Sequence, residues 1–288
     1  MSSPLITIVG PTASGKSDLA MTLAKKFNGE IIAADSRTVY RHMDIGTAKP
    51  TEQDQREVKH HLLDVVDPSQ TYSAADFKKD AEQAIEEIAA KGKLPIMVGG
   101  TGLYIDSVLF NYSFASPSDI ELRQELASLN VEELQKRVVE LGVDLNNSDF
   151  NNPHRLIRVI ETAGSHREKS ELREKTFVIG LKIDREELKD RIVKRIGQMF
   201  DNGLENEVDY LLEHYSKESP GLADTAYQAL ISYREGLTPK QDAISSMVKS
   251  HTDLAKRQMT WFKRNPDINW VSQKEDADSL VSNFLERL

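Results

Sequence analysis

The chain has 288 residues, a formal net charge of −9, 39% hydrophobic and 29% charged residues, and no cysteine. That composition is ordinary for a globular α/β domain or a core with a modest insertion; it excludes disulfides, thiolate metal sites and a cysteine nucleophile, and no apolar run approaches the ~20 residues of a membrane span. A cytoplasmic protein is expected, and Met1–Val9 has no basic segment of the kind that opens a signal peptide.

In chain order, Leu5–Val9 reads as a buried strand, and Leu19, Ala20, Leu23, Ala24 and Phe27 share one face of the helix that follows. Glu30–Ala34 is predicted as a second strand and Leu62–Val66 as a third. Ser73 and Asp76 form a capping pair opening a helix whose inner face carries Phe77, Ala81, Ala84, Ile85 and Ile88, with Gly92 past its end. Leu94–Val98 is a fourth strand and Phe177–Ile183 a fifth. The intervening stretch reads as helices over Ile120–Leu129, Val131–Leu141 and Pro153–Thr162. After Ile183 the chain is again helical, with Ile268–Val271 as a last strand. Such alternation predicts the α/β class: a P-loop core with a parallel sheet flanked by helices, formed by 1–113 and 173–288, with a helical insertion domain at 114–172.

Gly10–Ser17 (GPTASGKS) matches G-x-x-x-x-G-K-[ST] between a strand and a helix, the context that motif requires. Gly10, Thr12, Ala13, Ser14 and Gly15 let the backbone wrap a phosphate and aim N–H groups at it. Lys16 neutralises phosphate oxygens, and Ser17 is placed to reach Mg2+. The motif specifies a polyphosphate rather than a nucleotide. An NTPase usually also carries a metal-binding aspartate at a strand end, but the fourth strand runs into Gly99-Gly100-Thr101-Gly102, a second glycine-rich turn. Ligands bind at the carboxyl ends of strands in open parallel sheets, so Thr101 either faces that crevice or caps the next helix. Asp35 ends the second strand at the same edge. It is a candidate general base on an acceptor group, or an aspartate capping the segment from Ser36.

The acidic total argues against nucleic-acid binding, yet its distribution leaves two locally basic segments. One holds Arg155, Arg158, Arg167 and Lys169 against Glu161 and Glu168; the other holds Lys249, Lys256, Arg257, Lys263 and Arg264 against Asp253. They are either phosphate-contacting faces or solvated helix surfaces. His60 and His61 have no third ligand in view and read as structural, and Trp261 and Phe262 read as packing residues or, given the basic residues beside them, as contacts to bases.

Along nearly its whole length the chain resembles the bacterial tRNA dimethylallyltransferase (tRNA isopentenyltransferase) family. The resemblance is carried by Gly10–Ser17, Ala34–Tyr40 (ADSRTVY), Met43–Thr51 (MDIGTAKPT), His60–Pro68 (HHLLDVVDP), Val98–Ile105 (VGGTGLYI), Asn152–Glu161 (NPHRLIRVIE), Gln198–Val208 (QMFDNGLENEV) and Lys256–Arg264 (KRQMTWFKR). It implies transfer of a dimethylallyl group from dimethylallyl diphosphate to the exocyclic amine of the adenine just 3′ of the anticodon, with the P-loop holding the donor and Mg2+ as cofactor. It further implies that Asp35, Thr101 and Arg195 act on the reacting groups, with Arg191 as the competitor to Arg195. The tRNA anticodon stem-loop would be met by Asp35, Ser36, Arg37, Thr38, Thr101, Arg123, His154, Arg155 and Arg158, and a monomer is expected.

The chain departs from the family pattern at several places. Ser232 stands where glycine is usual at what reads as a tight position, His42 replaces a common glycine, and Arg37-Thr38 follows Asp35-Ser36 where other side chains are frequent. The insertion is also shorter than in many members. Rival readings are a P-loop small-molecule kinase using ATP, a prenyltransferase acting on free adenylate, and a non-catalytic RNA-binding protein.

Overall fold

The computed structural model describes residues 3–114, 120–162, 170–272 and 274–288. The strands are β1 (Leu5–Val9), β2 (Gly29–Ala34), β3 (His60–His61), β4 (Leu94–Gly99), β5 (Thr176–Leu181) and β6 (Ile268–Val271). They form one sheet in the order β3-β2-β4-β1-β5-β6, with every pairing parallel. The first helices are α1 (Lys16–Lys26), α2 (Glu52–Glu57), α3 (Ala74–Ala90) and α4 (Gly102–Leu109). Next come α5 (Ile120–Ala127), α6 (Val131–Glu140), α7 (Asn147–Phe150) and α8 (Pro153–Glu161). The remainder are α9 (Arg185–Asp201), α10 (Leu204–His214), α11 (Thr225–Arg234), α12 (Lys240–Phe262) and α13 (Lys274–Leu285). The expected α/β parallel sheet is therefore what the chain forms.

The chain divides into two compact units, Met1–Phe110 with Leu172–Leu288, and Asn111–Glu171. In the first, β1 is buried along its whole length, as a central parallel strand covered on both faces must be. One apolar cluster joins Ile6, Ile8, Ile31 and Ile96 to Leu19 and Leu23 of α1 and Val281 of α13. Another is built by the C-terminal helices, from Ile192, Met199, Val208, Tyr227, Leu230 and Met247, against Val39 and Met43. In the second unit α5, α6 and α8 bury Leu126, Leu134, Val138, Leu156 and Ile157 together. Its helix starts are set locally. Asn130 and Glu133 form a reciprocal capping box, and Asn152 caps α8 with Pro153 in the first turn.

Two expectations fail. The third strand is not Leu62–Val66 but His60–His61, which pairs with Ile31 and Ile32. Leu62 and Asp64 have left-handed backbones (φ 63 and 56), so the apolar run turns, and only Val66 bridges back, to Tyr40. Periodicity cannot distinguish a short buried strand from a turn that hides its aliphatic side chains. Ser232 lies inside α11, not in a tight turn, and its hydroxyl donates to the Gln228 carbonyl at 2.9 Å, so serine fits without backbone strain. His42, by contrast, adopts φ 63, a conformation that glycine reaches without cost.

The register decides where a site can form. Val9 and Ala34 both lie opposite Gly99, so β1, β4 and β2 end level with one another. The chain leaves these ends as Gly10, Gly100 and Asp35, which brings the phosphate loop, the second glycine turn and the aspartate to one sheet edge.

Candidate active site

The loop after β1 is held open by its own backbone. Ala13 and Gly15 are left-handed (φ 61 and 90), and the Ser14 amide donates to the Pro11 carbonyl at 3.3 Å, leaving α1 to start at Lys16. The Lys16 ammonium reaches back to the Pro11 carbonyl at 2.6 Å. Gly10 and Ser14 shape the loop from behind: a Cβ on Gly10 would approach the Leu181 carbonyl to 3.1 Å, and Ser14 is buried. Thr12, Ala13, Gly15, Lys16 and Ser17 line a cavity of about 1480 Å³, with Asp35, Ser36, Arg37, Thr38, Thr101 and Arg195 also on its wall.

Thr101 occupies the N-cap position of α4 but makes no capping bond. Its hydroxyl oxygen instead accepts the Ser36 amide at 2.9 Å and lies 3.3 Å from the Ser36 hydroxyl, tying the second glycine turn to the end of β2. Asp35 accepts the Arg37 amide on one oxygen at 2.8 Å, as a turn-forming aspartate does. Its other oxygen has no hydrogen-bond partner among the described residues. Arg37 is a strut: its guanidinium pairs with Asp224 at 2.9 Å, donates to the Gly221 carbonyl and lies over the Tyr40 ring. Thr38 is buried.

α9 contributes two arginines, one turn apart. Arg195 donates to the Thr12 hydroxyl at 3.4 Å, whereas Arg191 reaches the Ser14 carbonyl at 3.5 Å and is paired outward with Glu187 at 2.6 Å. Burial pulls the Lys16 ammonium down to about 7; Asp35 opposes that shift and Arg195 adds to it. Burial also lowers Arg195, again against Asp35. Two cations thus converge beside one carboxylate where little water screens them, an arrangement suited to a multiply charged anion next to a carboxylate that can take a proton. Among the described residues no group of three His, Asp or Glu side chains could hold a metal ion. His60 donates from Nδ1 to the Val58 carbonyl at 2.8 Å, and His61 pairs with Glu30 at 2.7 Å, so both are engaged structurally.

The IPP transferase family model matches residues 38–265. The chain belongs to the IPP transferase family. It is 40% identical to the tRNA dimethylallyltransferase of Acetivibrio thermocellus over 98% of this chain and 96% of that one. It is 39% identical to the enzyme of the same name from Bacillus velezensis, over 96% and 92%. In structure it is similar to the tRNA isopentenylpyrophosphate transferase of Bacillus halodurans (TM-score 0.77, 33% identity, 99% and 97% of the two chains). It is also similar to a eukaryotic dimethylallyltransferase acting on tRNA (TM-score 0.84, 25% identity, 99% and 80%).

Family segments far apart in the IPP transferase chain meet through side chains that sequence reading did not single out. Glu207 accepts the amides of Asp44, Ile45 and Gly46 at 2.7, 2.6 and 2.9 Å, and the Tyr227 hydroxyl donates to it at 2.7 Å. MDIGTAKPT and QMFDNGLENEV are therefore two halves of one loop anchor. From α12, Gln258 accepts the Thr12 amide at 2.7 Å. His251 lines the cavity with a buried ring nitrogen that has no partner among the described residues, its pKa lowered by burial and by Arg195 against Asp224 and Asp35. Trp261 lies against Gly102 and donates to Asp106 at 2.9 Å, whereas Phe262 is core. A polar residue on an amphipathic helix has no signature that separates it from solvent-facing neighbours, so only its helical spacing from Trp261 could have hinted at Gln258.

The candidate tRNA residues of the second unit lie at its surface. Arg123 and Arg158 pair with Glu161 at 3.5 and 3.3 Å, Arg155 pairs with Asp149, and His154 is exposed. Arg167 and Lys169, with Glu168, lie outside the described residues. On α12 and just beyond, Lys249, Lys256, Arg257, Lys263 and Arg264 are all exposed and make no ion pair among the described residues.

Proposed function

We propose that this protein transfers a dimethylallyl group from dimethylallyl diphosphate to the exocyclic amine of the adenine 3′-adjacent to the anticodon of tRNA, releasing diphosphate. The observation that carries the reading is the convergence of Lys16, Arg195 and Asp35 on one cavity at level strand ends. The allylic carbon–oxygen bond breaks, its electrons leave with the diphosphate, a carbon–nitrogen bond forms, and the amine loses one proton. Lys16, Arg195 and the loop amides absorb the charge that grows on the leaving group. The free oxygen of Asp35 holds the amine and takes its proton. Thr101 orients that end of the site through Ser36 and offers its hydroxyl towards the bridging oxygen. The adenine enters flipped from its stack, past Asp35 to Thr38.

Among the described residues the Ser17 hydroxyl lines the cavity without a partner, and no carboxylate cluster accompanies it. That donor set suits Mg2+, which the Ser17 hydroxyl would hold beside the diphosphate. The ion would neutralise diphosphate charge when bound. The exposed cations of α12 supply phosphate contacts, and the second unit, through its own surface arginines, acts on the anticodon stem. No helix among the described residues is long and apolar enough to cross a membrane, and such an enzyme works in the cytoplasm.

The test is incubation with tRNA, labelled dimethylallyl diphosphate and Mg2+, with and without ATP. Label should enter tRNA without ATP and be recovered on an adenosine after digestion. ATP-dependent phosphorylation of a metabolite, or an unlabelled tRNA, refutes the reading.

A further inference from the structure

Gln258 is only 8% exposed, on the cavity-facing side of α12. The orientation of its carboxamide is settled by chemistry. The Thr12 amide is a donor, so the atom 2.7 Å from it must be the oxygen, Oε1. Nε2 is then directed to the other side, against the second glycine turn, where a Cβ on Gly100 would come within 2.2 Å of it. Gly100 is thus a glycine for close approach, not for turn geometry: any side chain there displaces this amide. Nε2 makes no hydrogen bond among the described residues, although Gln258 is nearly enclosed. Nε2 is not one of the enclosed polar atoms that lack a partner, so its N–H groups open into the cavity, where they can donate to a bound ligand.

We propose that Gln258 is a donor-binding residue, whose Nε2 donates to an oxygen of the donor diphosphate while Oε1 holds Thr12. The proposal rests on the reading of the cavity as a prenyl diphosphate site. Three features favour a diphosphate oxygen over the nucleobase. Nε2 offers only protons, and a diphosphate offers only acceptors. Thr12, the other partner of Gln258, is also the partner of Arg195, the cation on the anion side of the cavity. On the acceptor side, Ser36 is held by Thr101 and Asp35 by the Arg37 amide, and neither bonds to Gln258 among the described residues. The carboxamide also links the two glycine turns: it touches the first through Thr12 and the second through Gly100. Filling of the donor site should therefore be felt by both.

Two variants separate the contributions. Gln258→Glu keeps an oxygen for the Thr12 amide but replaces the donor by an acceptor; Gln258→Met removes both. Inorganic pyrophosphate, bound in the presence of Mg2+, is the probe, alongside steady-state KM for the prenyl donor and for tRNA. Both variants should weaken pyrophosphate binding and raise donor KM by about tenfold or more, Gln258→Glu the more strongly, with the KM for tRNA within twofold of the parent. Recovery of pyrophosphate affinity in Gln258→Glu would mean that Gln258 acts only by bracing Thr12, and overturns the proposal. So does a rise in the KM for tRNA with donor binding untouched. Should the variants fold poorly, the parent decides by NMR: pyrophosphate must shift the carboxamide N–H signals that show a through-space contact to the Thr12 amide, and unmoved signals overturn the assignment. A parent that binds no pyrophosphate sinks the donor-site reading itself, whereas a binding parent with unaffected variants sinks this inference alone.

Discussion

Lys16 makes donor affinity depend on pH in a range where an ordinary lysine would be silent. Burial holds its pKa at about 7 in the ligand-free protein, so its ammonium is half deprotonated at neutral pH. A bound diphosphate restores the charged form, and binding therefore takes up a proton. The sign follows: the lowered pKa belongs to the free state, so affinity is full below pH 7 and falls as pH rises through it. The free protein must first be protonated, which multiplies the apparent Kd by one plus the ratio of neutral to charged lysine. Between pH 7.5 and 8.5 this weakens binding by about eightfold, and proton uptake rises from about three-quarters of a proton to nearly one per ligand. The ester's own last ionisation is largely complete by then and has the opposite effect on affinity below that range. Calorimetry with a non-reactive thiolo-diphosphate analogue, in buffers of different ionisation enthalpy, reads both quantities. An affinity flat within twofold from pH 7.5 to 8.5, with no net proton uptake, would falsify the account of Lys16. Lys16→Arg should flatten the pH dependence because a guanidinium stays charged, while weakening binding overall, since it cannot repeat the 2.6 Å contact with the Pro11 carbonyl.

Asp35→Asn should leave tRNA affinity unchanged and lower single-turnover prenylation by about two orders of magnitude or more, as loss of a general base does; unchanged turnover removes Asp35 from that role. Glu30 lies away from the site, 3% exposed, and is held by His61, Lys93 and Lys91. Burial alone would raise its pKa, but those partners outweigh it and bring it from 4.5 to about 2. A carboxyl depressed on folding stabilises fully above its unfolded pKa, so its contribution is lost as pH falls from 4.5 towards 2. Allowing for screening of the half-exposed lysines, Glu30→Gln should cost about 2–3 kcal/mol at pH 7 and nothing near pH 2, read from urea midpoints at both. tRNA binding should weaken linearly in log–log with salt, and Lys256→Ala or Arg257→Ala should each reduce the slope by about one; slopes equal to the parent's would show that α12 makes no phosphate contacts.

Local chemistry was legible in the residue order. The loop Gly10–Ser17, the cap at Ser73 and Asp76, and the last strand Ile268–Val271 depend on neighbours a few positions apart, and they form where periodicity and motif spacing place them. Leu62–Val66 misled because aliphatic side chains satisfy a strand and a buried turn alike, and only the left-handed backbones of Leu62 and Asp64 tell them apart. The resemblance of whole motifs named the chemistry, but not what each residue touches.

The sequence by itself settled the α/β class, the phosphate loop and the family, because each is written in short-range pattern. What tertiary structure decided is which distant side chains share a cavity. The level ends of β1, β4 and β2 bring Asp35 and Thr101 to the loop, α9 supplies Arg195, and α12 returns Gln258 across 246 positions to the Thr12 amide. Burial then converts an ordinary lysine into one that titrates near neutrality. Desolvation and long-range hydrogen bonds are properties of packing, and no window along the chain contains them.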